Sequence, residues 1–173
     1  KDQHISIFGG KLTDCINVGD EIAQIVSRLG ITVPRPDNIW YGEPDDRERQ
    51  TYFNQAKALN LDSNTSASSS EPLSQRLWRR YGHRAVDILQ MIEANPDNAE
   101  ILIENAEYVR GEIKLVAQYE MVTKLDDFLR RRSKIEQVIN RNEIIQAPGL
   151  REACSILFAE QADEKLNEYI QAQ

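Results

Sequence analysis

The chain has 173 residues, 40% of them hydrophobic, and a formal net charge of −7 at pH 7. This length is sufficient for one domain with a core of ordinary size. The acidic balance argues against a nucleic-acid partner, which requires a basic surface, and no apolar run reaches the roughly 20 residues of a spanning helix. Cys15 and Cys154 have no metal-binding or redox spacing, which indicates a reducing, cytoplasmic setting.

The first thirty residues predict a strand, a turn and a helix. An extended apolar run occupies residues 4–8, and two glycines and a lysine follow it. Apolar residues then recur at intervals of three and four as far as Leu29, which is typical of one face of a helix. Thr13 is a suitable N-cap for this helix, and Gly30 is a suitable C-terminal stop.

A glycine-lysine turn between a strand and a helix is also how many phosphate-binding loops are built. The Walker A pattern nevertheless fails, because Ile5 stands where its first glycine is required and Leu12 where its hydroxyl is required. No G-x-G-x-x-G dinucleotide fingerprint occurs in the chain. Gly9 and Gly10 still allow a backbone to approach a ligand closely. The alternative is a plain tight turn with a solvated Lys11.

The middle of the chain contains one predicted helix between two irregular segments. The stretch ITVPRPDNIWYGEPDD has three prolines and a glycine, which favour a loop. Residues 45–61 have helical spacing, with Asp45 or Asp46 placed to cap the helix. The serine-rich stretch DSNTSASSSEP, residues 62–72, is expected to be a linker too polar to pack.

The C-terminal hundred residues are predicted to be almost entirely helical. Apolar stripes indicate helices over residues 72–82, 83–95, 98–122, 125–139 and 148–171. We therefore predict an all-α fold, a helical bundle with one short N-terminal strand at residues 4–8. Such a strand would pair with a sheet outside this chain or pack against the helices. The predicted domain boundaries are 1–30, 31–72 and 73–173.

Three stretches resemble FAD-dependent glycerol-3-phosphate dehydrogenases and alpha-glycerophosphate oxidases. ISIFGGKLT resembles the segment GGKLTTYRKLAE, which closes the FAD-binding fold of that family. LWRRYGHRAVDIL is similar to its RYG element, and AEYVRGEIKLVAQYEMVTKLDDFLRRRSKI is similar to a glutamate-bearing helix followed by R-Y-E-M-A and T-L-x-D-F-L-x-R-R-T. The three elements occur in family order over most of residues 4–136, whereas residues 31–72 match little.

The resemblance implies a flavoenzyme whose FAD-binding domain precedes Lys1, and the missing initiator methionine agrees with a fragment. By the resemblance, Gly9, Gly10 and Thr13 would bind the flavin, and Lys11 would be a catalytic residue that orients substrate. The intact enzyme would oxidise glycerol-3-phosphate to dihydroxyacetone phosphate and pass electrons to a quinone or to oxygen.

By the same resemblance, the fragment alone would be inactive and hold no FAD. Its partner would be the N-terminal FAD-binding domain of the same chain, and a homo-oligomer is a further possibility. The intact enzyme would be cytoplasmic, with peripheral attachment at the inner face of the membrane left open. The alternative is a self-contained helical interaction module without catalytic activity.

The chain departs from the family after Thr13, where T-Y-R is replaced by Asp14, Cys15 and Ile16. A carboxylate in the first helical turn would compete with an electron-rich ligand for the amide end of the helix. Loss of the arginine removes a fixed cation. Either the intact enzyme has altered activity, or these side chains point away from the cofactor.

Other titratable residues give weaker signals. His4 and His83 have no partners at ligand spacing, which argues against a zinc site or a catalytic triad. Six arginines, at positions 79, 80, 84 and 130–132, are expected to pair with surplus carboxylates. Glu120 is placed on the apolar face of the helix predicted over 98–122, two turns after Glu112. An ion pair between helices, with one of these arginines, is preferred to acid-base catalysis.

Overall fold

The computed structural model describes residues 5–8, 14–32 and 44–172. It separates into two units, Lys1–Gly42 and Glu43–Gln173. In the first unit, helix α1 spans Cys15–Arg28. Gly30 follows with a φ of +83°, in the left-handed region that favours glycine, so the predicted helix and its stop are confirmed. The predicted cap, Thr13, lies outside the described residues, and the predicted domain boundaries stay a prediction.

The strand predicted at the N-terminus is not formed. Residues 5–8 have no regular secondary structure, and His4 lies outside the described residues. A strand persists only when a neighbouring strand satisfies its backbone N–H and C=O groups. The described residues of this unit contain no second strand that could do so. The apolar spacing of residues 4–8 was therefore not sufficient to predict their conformation.

The second unit is built mainly from helices, which confirms the all-α class. Asp45 caps the first of them by accepting a hydrogen bond from the backbone N–H of Glu48 at 2.8 Å. Its α-helices are α2 (Asp46–Ala58), α3 (Leu73–Tyr81), α4 (Ala85–Ala94), α5 (Arg110–Tyr119), α6 (Arg141–Gln146), α7 (Leu150–Phe158) and α8 (Ala162–Gln171). Two short strands, β1 (Ile101–Ile103) and β2 (Tyr108–Val109), interrupt the helical order.

This hairpin replaces the first half of the helix predicted over residues 98–122. The strands β1 and β2 are antiparallel, with Ile101 opposite Val109 and Ile103 opposite Tyr108. Between them Glu107 adopts a φ of +55°, which ends any helical continuation. The prediction failed because three consecutive apolar residues fit a helix and a buried strand equally well, and tertiary packing decides between them.

The last turn of the same predicted helix is also absent. Helix α5 ends at Tyr119, and the buried stripe ends at Val116. Met121 is 80% exposed, and Glu120 lies at the surface instead of on an apolar face. Beyond it, the helix predicted over 125–139 is reduced to a π-helical turn at Asp127–Arg132 and a 3₁₀ turn.

The serine-rich segment, none of whose residues 62–72 is buried, forms hydrogen bonds to the next helix that the sequence did not predict. The hydroxyl of Thr65 accepts a hydrogen bond from the N–H of Leu73 at 3.0 Å, and the carboxylate of Asp62 accepts one from the N–H of Ser74 at 2.8 Å. These amides belong to the first turn of α3, where no helical partner exists for them. The segment is therefore the cap of α3, and polar side chains are what this role requires.

The long helix predicted over 148–171 is broken at Ala159. This residue has a φ of +50° and a ψ of −118°, close to the values of +52° and −128° at Gly82 between α3 and α4. Helix α7 ends before it and α8 begins three residues later. An L-residue with a side chain is strained in this region of backbone space, whereas glycine is not.

We therefore expect Ala159→Gly to raise the free energy of unfolding by about 1 kcal/mol. The gain from relieved strain should exceed the entropic cost of a glycine in the unfolded chain. Urea unfolding followed by circular dichroism measures the change. The control is Ala162→Gly, at the first residue of α8 with a φ of −53°, where glycine relieves no strain and we expect a loss of stability. A loss of stability in Ala159→Gly would contradict the strain argument.

Two clusters of buried side chains form the interior of the second unit, and α5 contributes to both. The N-terminal cluster consists of Tyr52, Ala56, Leu61, Leu73, Leu77, Ala85, Ile88, Leu89, Ile92, Ala99, Val109 and Leu115. The C-terminal cluster consists of Leu102, Ile103, Tyr108, Ile113, Val116, Leu125, Phe128, Leu129, Ile135, Ile144, Leu150, Ala153, Cys154, Leu166 and Tyr169. The hairpin also contributes to both clusters, because Tyr108 of β2 belongs to the C-terminal cluster and Val109 to the N-terminal one. The strand β2 and the helix α5 therefore lie at the junction of the two clusters.

Candidate functional site

The four residues predicted to act at a flavin, Gly9, Gly10, Lys11 and Thr13, lie outside the described residues. Asp14, Cys15 and Ile16, where the chain departs from the family, do lie within the described residues. The side chain of Asp14 makes no capping hydrogen bond to the backbone of α1. It accepts one instead from the amide of Asn17, at 2.7 Å. Its expected competition for the helix amides is thus not seen in the structure.

The described residues bring together a different set of charges, at the junction of the two core clusters. The Glu112 cluster, as we name it, consists of Arg76, Arg80, Glu107 and Glu112. Glu112 is fully buried, and its carboxylate lies 2.8 Å from Arg80 Nη1 and 3.5 Å from Arg76 Nη2. Arg76 Nη1 lies 3.4 Å from Glu107 Oε2. Arg76 and Glu112 thus meet away from solvent, while Arg80 and Glu107 are partly exposed.

Helix geometry explains why these side chains converge. Arg76 and Arg80 are four residues apart on α3, so they lie on the same face, one turn apart. Glu112 is in the first turn of α5, where its Oε2 also accepts the backbone N–H of Val109 at 2.9 Å. A carboxylate in this position is favoured by the helix dipole. One side chain therefore ties α3, the end of β2 and the start of α5 together.

Two tyrosines complete the surroundings of the cluster. The guanidinium of Arg80 lies 4.4 Å from the ring centroid of Tyr108, a cation–π contact. The Tyr108 hydroxyl donates a hydrogen bond to the carbonyl of Ser133. Burial raises the pKa of Tyr108 to about 12. Burial, followed by the charge of Glu112, also raises the pKa of Tyr81. Both phenols therefore remain neutral donors near neutral pH.

The Glu112 cluster has a structural role and not a catalytic one. Glu112 has no exposed surface and is held by two guanidinium groups and a backbone amide, so a substrate cannot reach its carboxylate. The sequence predicted an interhelical ion pair for a half-buried Glu120. Glu120 instead lies at the surface, where it pairs with Arg132, one of the six arginines named as candidates, at 3.2 Å. The buried interhelical ion pairs belong to Glu112, and Arg76, which takes part in them, was not among the candidates.

The other arginines proposed as a basic patch are paired with carboxylates, as expected. Within the described residues the pairs are Arg79 with Glu71, Arg84 with Asp87, Arg130 with Asp126, Arg131 with Asp127 and Arg132 with Glu120. Their side chains are exposed, so each pair contributes little to stability. No free basic surface results from them.

The remaining residues singled out in the sequence do not form a further site. His83 lies 3.5 Å from Glu48 at the surface, while His4 is outside the described residues. In the parts of the chain that the structure describes, no three His, Cys, Asp or Glu side chains are placed to bind a metal ion. None of the helices in those parts is long and apolar enough to cross a bilayer.

A cleft of about 560 Å³ lies between β1 and the segment that leads from Ile139 through α6 to the start of α7. Three carboxylates line it, those of Glu100, Glu143 and Glu152, together with the guanidinium of Arg110. This set of side chains does not fit FAD, because the diphosphate of that cofactor requires amide or cationic partners. The described residues of the cleft therefore support no flavin chemistry.

Comparison with known proteins identifies the family. Residues 45–149 match the family model described as the C-terminal domain of alpha-glycerophosphate oxidase. The chain belongs to this family. The match spans α2 to α6, and so includes the Glu112 cluster and the RYG element that suggested the resemblance. The identification made from the sequence is confirmed.

A curated relative supports the same conclusion about the alpha-glycerophosphate oxidase C-terminal domain. The chain is 26% identical over 180 residues to a glycerol-3-phosphate dehydrogenase of Synechocystis sp.. The alignment covers 95% of this chain but 30% of the relative, so the chain spans less than a third of that protein's length. No solved structure matches the chain.

Proposed function

We propose that this chain is the C-terminal helical region of an FAD-dependent glycerol-3-phosphate dehydrogenase. The intact enzyme would oxidise glycerol-3-phosphate to dihydroxyacetone phosphate, with FAD as hydride acceptor and a quinone or oxygen as final electron acceptor. It would be a cytoplasmic protein, or one held peripherally at the inner face of the membrane. The observation that carries the proposal is the family match over residues 45–149, together with the alignment of almost the whole chain to a dehydrogenase.

The region's own role would be to support a catalytic domain formed by the rest of the longer protein. The Glu112 cluster and the two core clusters show that Glu43–Gln173 has an interior of its own. Such a unit can present a fixed surface to an N-terminal FAD-binding domain. The isolated chain would then bind no FAD and turn over no substrate.

We propose further that the glycine-lysine turn contributes to the flavin site of the intact enzyme. The support is the match of ISIFGGKLT to the closing segment of the family's FAD-binding fold. Backbone amides of Gly9, Gly10 and Thr13 would contact the flavin, and Lys11 would orient the substrate. Amide donors and a lysine are suited to stabilise negative charge that develops during hydride transfer.

Two measurements test the proposal. The isolated chain should elute colourless from gel filtration after incubation with FAD, and should not oxidise glycerol-3-phosphate. In the full-length protein that carries this chain, Lys11→Ala should lower kcat by about 10²-fold or more. Lys57→Ala is the matched control, because Lys57 is an exposed lysine in the last turn of α2, and it should leave kcat unchanged.

Two outcomes would contradict the proposal. Flavin retained by the isolated chain would show that the cofactor site is complete without the rest of the protein. A full-length protein without glycerol-3-phosphate oxidation would favour the alternative, a helical interaction module.

A further inference from the structure

The acidic cleft beside β1 takes no part in the proposed function and has the properties of a docking site. Its floor and walls contain aliphatic side chains, among them Ile101, Ile139, Ile144, Ala147 and Pro148. Its rim contains carboxylates that are well exposed, since the side chains of Glu100 and Glu152 are 60% and 45% exposed. Apolar surface and charge therefore lie side by side within one cleft.

The charges of the cleft are not balanced. Among the described residues that line the cleft the one cation is Arg110, which lies 2.9 Å from Glu100 and 2.6 Å from Glu152 and is mostly buried. Glu143, the third lining carboxylate, forms no ion pair within the described residues. Three carboxylates and one guanidinium leave a net negative charge of two. An occupant that compensates this charge would have to be cationic.

The wall of the cleft is fixed by backbone contact. Gly149 lies so close to β1 that a Cβ atom on it would be 1.9 Å from the carbonyl oxygen of Leu102. The backbone at the start of α7 thus touches the strand directly and holds this side of the cleft in place. A preformed cleft costs little reorganisation when a partner binds.

We propose that this cleft docks a basic aliphatic segment of a partner protein, a short stretch rich in lysine or arginine and in aliphatic residues. The long apolar stems of lysine and arginine can pack on the aliphatic floor while their charged ends reach the rim carboxylates. The cleft has room for a few such side chains and supplies both kinds of surface. The proposal is independent of the flavin enzyme proposed above.

The probe is a dodecapeptide of lysine, leucine and alanine with amphipathic helical spacing, titrated into the full chain labelled at isoleucine methyl groups. Saturable shifts are expected at Ile101, Ile139 and Ile144. A peptide of the same pattern with glutamate in place of lysine should not bind. Spermidine, which has the charge without the aliphatic side chains, should bind more weakly than the dodecapeptide.

Two variants separate cleft binding from general attraction to an acidic protein. Glu143→Gln should weaken peptide binding about 3-fold, the effect of one partly solvated ion pair. Glu160→Gln removes the same charge from an exposed residue that does not line the cleft, and should leave binding unchanged. Ala147→Trp should fill the cleft and weaken binding by about 10-fold or more.

Several results would overturn the proposal. They are an absence of saturable shifts at the cleft methyl groups, equal weakening by Glu143→Gln and Glu160→Gln, and binding of spermidine as tight as that of the peptide. Unchanged methyl spectra away from the cleft show that each variant is folded, so a loss of binding can be assigned to the cleft.

Discussion

Glu112→Ala is expected to lower the free energy of unfolding by about 3–5 kcal/mol, the range measured when one partner of a buried ion pair is removed. The substitution would leave Arg76, which is 1% exposed, and Arg80 without their shared anion. It would also leave the backbone N–H of Val109 without its acceptor. Urea unfolding followed by far-UV circular dichroism measures the loss.

Two controls make this prediction specific. Glu112→Gln keeps an oxygen for Val109 but removes the charge, so it should cost about 2 kcal/mol. Glu120→Ala removes a glutamate paired with Arg132, in which both side chains are at least 38% exposed, and should cost about 0.5 kcal/mol or less. Similar losses for Glu112→Ala and Glu120→Ala would show that burial does not distinguish the two glutamates.

Gly149→Ala is expected to lower the free energy of unfolding by about 2–3 kcal/mol through overpacking. The added Cβ would lie 1.9 Å from the carbonyl oxygen of Leu102, which is backbone and cannot turn aside. Gly149 has a φ of −80°, so alanine causes no dihedral strain there and the cost is purely steric. Thermal and urea unfolding of the variant give the size of the effect.

Gly19→Ala is the matched glycine control. Among the described residues, no atom outside the backbone of α1 itself lies within 4 Å of a Cβ built on Gly19, which is inside this helix. Alanine there should stabilise the helix by about 0.5–1 kcal/mol. If Gly149→Ala were as well tolerated as Gly19→Ala, the close contact between α7 and β1 would not be a constraint on the fold.

Much of the helical structure could be predicted from the sequence because local signals coincide. In α1 to α4 the apolar spacing agrees with a cap or a stop, such as Asp45 before α2 and Gly82 after α3. The predictions of helices failed where apolar residues are contiguous, or where a helix is interrupted at a residue that does not itself favour an interruption. Ile101–Ile103 fits either a helix or a strand, and Ala159 breaks a helix although alanine is the best helix former.

The Glu112 cluster could likewise be predicted from the sequence only in part. The expected pairing of arginines with surplus carboxylates is found, since charge balance alone favours it. Spacing could not distinguish the buried Glu112 from the exposed Glu120, because the helix ends at Tyr119 and the arginines of α3 pair with Glu112 in its first turn. Arg76 was missed because nothing in its neighbourhood marks it as the arginine that faces inward.

The sequence by itself determined the family, the all-α class and the approximate position of most helices. These properties depend on motifs and on side-chain periodicity within one element. Only the tertiary structure decided the hairpin, the broken C-terminal helix, the burial of Glu112 and the cleft beside β1. Each of these depends on contacts between residues far apart in the chain, such as Gly149 with Leu102 and Glu112 with Arg76, and local propensity carries no information about such contacts.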